Sequence, residues 1–152
     1  MRRSRGFIVS AALVAAMILP AGAASAATTV TYQLSGTASN TIFQQVSMSG
    51  SAKTRARGES GTWSAVFSQD IGAILFGTFT LTSKARSFSG AITGGTFGPS
   101  TGNCTKTAIP VHGTVAGGGS FDVTVTRVGS LVNGSCVVSS SKVAGTATLV
   151  YP

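Results

Sequence analysis

The sequence predicts an all-β domain: a single antiparallel β-sandwich or small β-barrel of about seven to nine strands. Three observations predict it. Gly, Ser and Thr supply 56 of the 126 residues after position 26, a composition that favours strands and turns over helices. Val, Ile, Leu and Phe still recur along that whole region, so the bias does not signal disorder. Apolar and polar residues alternate at period two in one segment after another, and no ten-residue stretch repeats at 3.6.

Residues 1–26 read as a cleavable export signal that precedes the domain. Arg2, Arg3 and Arg5 form a positive start, and Phe7 to Leu19 is a nearly unbroken apolar run. Pro20 ends the run, and Ala24-Ser25-Ala26 offers the small residues a signal peptidase needs. A run of thirteen residues is too short to cross a bilayer, which takes roughly 20 as helix. The expected product is one all-β domain over residues 27–152, secreted or periplasmic, and not membrane-spanning once the signal is removed.

Within that domain Tyr32 to Leu34 opens a short strand. From Val46 to Glu59 the alternation is long: Val46, Met48, Gly50, Ala52, Thr54 and Ala56 share one face, and Lys53, Arg55, Arg57 and Glu59 fall on the other. The small inner face asks for a bulky partner or a tightly curved sheet. Trp63, Ala65 and Phe67 follow, then a turn at Gln69-Asp70. Ile71 to Thr82 sets Leu75, Gly77, Phe79 and Leu81 on one face. Further strands are expected over Phe88 to Thr93, Thr105 to Val115, Phe121 to Val128 and Val143 to Tyr151. Trp63, Phe67, Phe79, Leu81, Val123, Val125 and Leu149 are the expected core.

Turn clusters separate these runs at Gly94-Gly95, Gly98 to Asn103, and Gly117 to Gly119. Asn133-Gly134, between Leu131-Val132 and Cys136-Val138, carries the strongest hairpin signal, because a type I′ turn needs positive φ at both positions. Pro110 inside a good strand points to an edge or a bulge.

Charge and cysteines bound the chemistry. Three of the eleven basic residues lie in the signal, leaving eight against three acids, a net charge of +5. That balance permits attraction to an anionic envelope polymer or lipid surface. It gives no specific nucleic-acid site, because aromatic stacking partners are not interleaved with the cations. Cys104 and Cys136, an even pair in an exported chain, are expected to form one disulfide. Closing that 33-residue loop is worth roughly 3.7 kcal/mol in the chain-entropy picture.

Catalytic residues are scarce. The acids are Glu59, Asp70 and Asp122, and His112 is the single histidine. No metal site is expected, since one histidine and two bridged cysteines cannot complete a zinc shell. No cofactor is implied, and no catalytic residue is assigned. A hydrolase built on His112 and Asp122 stands as a remote alternative, with no Gly-x-Ser-x-Gly elbow to support it. Lys53, Arg55 and Arg57 are the candidate ligand-binding residues: spaced by two on one strand, they would stand about 6.6 Å apart and could meet phosphate or sulfate groups. The competing reading is an edge blunted against pairing.

Gly61-Thr62-Trp63 resembles the opening of a strand in the avidin family of biotin-binding barrels. The resemblance covers three residues. That family's pocket uses several tryptophans and Trp63 is alone here, so biotin binding is not implied. The expected function is a non-catalytic binding or structural module at the cell envelope or outside the cell. A small-ligand carrier, with a cavity lined by Trp63 and the phenylalanines, is the alternative.

Overall fold

A computed structural model describes residues 26–40, 44–55 and 59–152. The expected export signal therefore lies outside the described residues, apart from Ala26. Nine strands are present among the described residues: β1 (Thr28–Asn40), β2 (Gln45–Lys53), β3 (Gly61–Asp70), β4 (Ala73–Ser83), β5 (Ser87–Phe97), β6 (Thr101–Asn103), β7 (Lys106–Val115), β8 (Gly119–Val132) and β9 (Ser135–Tyr151). All pairings are antiparallel, in the order β5-β4-β3-β2-β1-β9-β8-β7-β6. A further pairing of β5 with β7 closes eight of them into a barrel, with β6 as an extra strand beside β7. Of the two architectures expected, the chain builds the barrel. The first and last strands pair at its lower rim, where Thr28 meets Tyr151. The turns β3–β4 and β8–β9 stand at its upper rim.

The period-two pattern sorts side chains as expected. Inward positions are apolar, and Trp63, Phe67, Phe79, Leu81, Val123, Val125 and Leu149 are all buried. Many outward positions are hydroxyls, some paired across strands: Ser35 with Ser51 at 2.9 Å and Ser64 with Thr80 at 2.7 Å. Transmembrane barrels place apolar side chains outward; this barrel places them inward. Rings fill the axis in a continuous column. Phe97 touches Phe67, Phe67 touches Phe121, Phe121 touches Phe79, Phe79 touches Phe88, and Phe88 touches Tyr151, with centroids 5.6 to 6.4 Å apart. Trp63 stacks beside Phe79 at 6.1 Å. Trp63 and the rings of a supposed carrier cavity thus pack against one another.

The small inner face of β2 has a specific use. Gly36, Gly50 and Trp63 are neighbours across β1, β2 and β3, and the Trp63 indole N–H donates to the Ser35 carbonyl at 3.2 Å. A side chain at Gly50 would strike that carbonyl and the Gly36 Cα. The two glycines let the strands approach closely and leave room for the indole.

Several expectations need correction. The short strand expected at Tyr32 to Leu34 is the 13-residue β1, and the turn expected at Gly94-Gly95 lies within β5, where the pairing with β7 shifts register. The strand expected over Val46 to Glu59 stops at Lys53. There Thr54 N–H donates to Ser60 Oγ at 3.4 Å, and Glu59 turns inward to pair with Arg86. The turn expected at Gln69-Asp70 lies at Ile71-Gly72, both with positive φ (43° and 80°). Leu75, expected inside, is half exposed while Ile74 is buried. A register shift between Ser68 and Gln69 inserts one extra residue on β4 and inverts the facing of the residues before it, while Phe79 and Leu81 keep theirs. Pro110 sits in β7 between the ends of β5 and β6, where its carbonyl accepts from Gly98 N–H at 2.8 Å. Its missing donor faces that same gap.

At the lower rim Arg86 lies 4.6 Å over the Tyr151 ring, and the Tyr151 and Tyr32 hydroxyls are 3.0 Å apart. Burial, reinforced by that hydrogen bond, pushes the Tyr151 hydroxyl well above its ordinary range.

Candidate functional site

Strands β8 and β9 outrun the barrel. The last partner of β8 on β7 is Lys106, opposite Val128, and β1 leaves β9 after Thr37 meets Lys142. Beyond those points the strand pairing of Gly129–Val132 and Ser135–Val138 is with each other, and Gly129 N–H donates to the Thr105 carbonyl at 3.4 Å. They form a two-stranded arm reaching about 13 Å past the rim, at roughly 3.3 Å per residue. Asn133 and Gly134 turn it with φ of 49° and 78°, the type I′ geometry expected of that dipeptide.

The arm is held by the predicted disulfide. Cys104 and Cys136 are bonded, with Cα atoms 5.6 Å apart. Cys104 stands in the turn between β6 and β7, which Asn103 shapes: its side-chain oxygen accepts from the backbone N–H of Thr105 at 3.1 Å and of Lys106 at 3.2 Å.

The arm is apolar on both faces. Its register places Leu131 with Cys136 and Gly129 with Val138 on one side, and Ser130 with Val137 and Val132 with Ser135 on the other. Leu131 is 69% exposed, and Val132, Val137 and Val138 are each about half exposed. Across the same rim the β3–β4 turn presents Ile71 at 99% exposure, with Leu75 and Phe76 below it. A cleft of about 710 Å³ joins the two prongs, lined by Ile71, Phe97, Pro99, Ile109, Arg127 and Val138 among others.

Cations ring the base of the arm. Lys106 pairs in register with Val128, Arg127 with Ser141, and Lys142 with Thr126. The ion pairs among the described residues are Glu59–Arg86 and His112–Asp122, and neither uses these three. The acid at that rim is Asp70, at the end of β3.

No family model, curated protein or solved structure matches the chain.

The expected binding residues lie at the opposite rim. Lys53 is the last residue of β2 and is exposed, and Arg55 is exposed in the bend that follows, off the strand. Arg57 lies outside the described residues. Glu59, expected in line with them, is buried against Arg86 instead, and its Oε2 has no partner among the described residues. His112 and Asp122 do meet: they are cross-strand neighbours on the outer barrel wall, with Nδ1 2.5 Å from Oδ1 and both side chains well exposed. Thr96 of β5 flanks His112, but the hydrogen bond of the histidine goes to Asp122.

The prongs were missed by a reading tuned to alternation. Leu131-Val132 and Val137-Val138 are adjacent apolar pairs. In a strand, adjacent residues face opposite ways, so such doublets in a hairpin announce a ribbon apolar on both sides.

Proposed function

We propose that the chain is an exported, non-catalytic binding module of the cell envelope or extracellular space, and that the arm end of the barrel is its contact surface. The observation that carries the reading is the pair of apolar prongs, one of them fixed by a disulfide, on a barrel whose axis is filled. A disulfide fits an oxidising compartment. Exposed apolar groups gathered at one end of a barrel mark an interaction surface. Apolar side chains left in water contribute nothing to folding, and their contribution of about 25 cal/mol per Å² comes only when a partner covers them.

Association with a cell-envelope fraction tests this. Replacing Leu131, Val132 and Val137 by Ser is expected to abolish retention of the purified protein while its unfolding transition stays in place. Retention unchanged by those substitutions would overturn the reading.

A second reading places an anionic envelope polymer on Lys53, Arg55 and Arg57 at the other rim. What favours it is the exposure of Lys53 and Arg55, now without Glu59 to neutralise them. In that case replacing all three by Ser removes a salt-sensitive association that the arm substitutions leave intact.

A further inference from the structure

We propose that the arm end docks on an anionic lipid surface, its two prongs entering the headgroup region while Lys106, Arg127 and Lys142 meet lipid phosphates. The inference rests on the arm end being the contact surface, and it adds the chemistry of the partner.

The arm carries Leu131 and Val138 on one face and Val132 and Val137 on the other. A folded partner covers one face of a ribbon through a matching groove, whereas a fluid lipid phase covers both without one. The second prong, Ile71, stands across an open cleft from the first. Lipid fills such a gap by flowing into it.

Charge complementarity selects anionic lipid. Lys106, Arg127 and Lys142 stand at the root of the arm, one arm's length behind its tip. With the tip at an interfacial depth of about 5–10 Å, that collar lies level with the phosphates. The polar Asn133-Gly134 turn sets the limit of entry, because its backbone groups need partners that headgroups provide and hydrocarbon does not.

Ile71 supplies an independent argument. A β-branched residue at φ 43° is strained, and at 99% exposure it recovers nothing by packing within the barrel. Strain kept at an exposed apolar tip points to contact with something outside the chain.

Vesicle co-sedimentation of the purified protein decides the matter, using phosphatidylcholine alone and phosphatidylcholine mixed with phosphatidylglycerol. Binding is expected to the mixed vesicles and to weaken steeply with salt. Replacing Lys106, Arg127 and Lys142 by Gln should weaken it on the order of a hundredfold, given each cation's usual share near an anionic surface. Ile71→Asn should weaken it severalfold with the fold intact, and replacing Lys53, Arg55 and Arg57 by Ser should change nothing. Soluble polyphosphate serves as the lipid-free source of the same phosphate chemistry. If it displaces the protein fully and the Leu131, Val132 and Val137 substitutions leave vesicle binding unchanged, the lipid assignment is overturned. Failure of the folded protein to bind mixed vesicles, with envelope retention still dependent on the arm, overturns the lipid assignment alone. Envelope retention that ignores the arm removes both readings.

Discussion

Cys104 and Cys136 join the β6–β7 turn to the projecting arm, their Cα atoms 5.6 Å apart. Past Val128 the arm pairs as a two-stranded ribbon, tied to that turn by the disulfide and by a hydrogen bond from Gly129 N–H to the Thr105 carbonyl at 3.4 Å, and a two-stranded ribbon alone is marginal in water. The disulfide therefore acts on the arm more than on the barrel.

Replacing both cysteines by Ser is expected to lower global stability by about 2–4 kcal/mol. It should also raise hydrogen exchange selectively across Gly129–Val138. Denaturant unfolding measures the first effect and exchange mass spectrometry the second. A loss of protection no larger in the arm than in the barrel would show that the bond supports the core instead. Intact mass after alkylation without reductant should show no modified cysteine.

Gly50→Ala tests the close approach beneath Trp63. Its methyl group would meet the Ser35 carbonyl, the acceptor of the Trp63 indole, and the Gly36 Cα. Both obstacles are backbone, so β1 and β2 must separate. A loss at the upper end of the roughly 1–3 kcal/mol typical of overpacking is expected, with a changed tryptophan emission spectrum as the local readout.

Much of the barrel was legible because one physical rule, period-two alternation with one dry face, covers most of its strands. Phe121, Val123 and Val125 obey it, and their facing is as expected. The rule fails where the register slips. At Leu75 an extra residue inverts the start of β4, and nothing in the local sequence marks that insertion. It fails again at Arg55, because Glu59 finds a buried partner in Arg86, 27 positions away. Barrel closure itself rests on β5 meeting β7, a pairing between segments whose alternation fits a sandwich equally well. The Asn133-Gly134 turn was legible and its purpose was not, since the apolar doublets beside it gain meaning only once β7 and β1 are seen to end below them.

Tyr151 makes stability fall in alkali. Its hydroxyl is held above the ordinary value of about 10 by burial and by the Tyr32 hydrogen bond. The native state thus keeps a proton that the unfolded chain releases. Below about pH 10 both states are protonated and the contribution is fully present; above it stability declines as the unfolded chain ionises first. Tyr151→Phe should remove this group's part of the alkaline decline and cost about 1 kcal/mol at neutral pH for the lost hydrogen bond. Unfolding curves of both proteins from pH 7 to pH 11 compare the slopes; identical slopes would reject the assignment.

His112 and Asp122 form an exposed cross-strand pair, and exposed pairs contribute little. His112→Ala should change stability by no more than about 1 kcal/mol and leave envelope retention unaltered. Ester hydrolysis by the purified protein that disappears with His112 would restore the hydrolase alternative.

Ile71→Asn separates folding from contact most sharply. Asn tolerates the left-handed conformation that Ile71 holds at φ 43°, since its short side chain bonds locally and lacks the β-branch. No buried surface is lost, because Ile71 is 99% exposed. The substitution should therefore stabilise the protein by about 0.5–1 kcal/mol, seen as a Tm higher by a few degrees, while envelope retention weakens. The two effects have opposite sign, so a general loss of structure cannot imitate them. A less stable variant would show that Ile71 supports the fold, and a more stable one that is fully retained would show that Ile71 is not part of the contact surface.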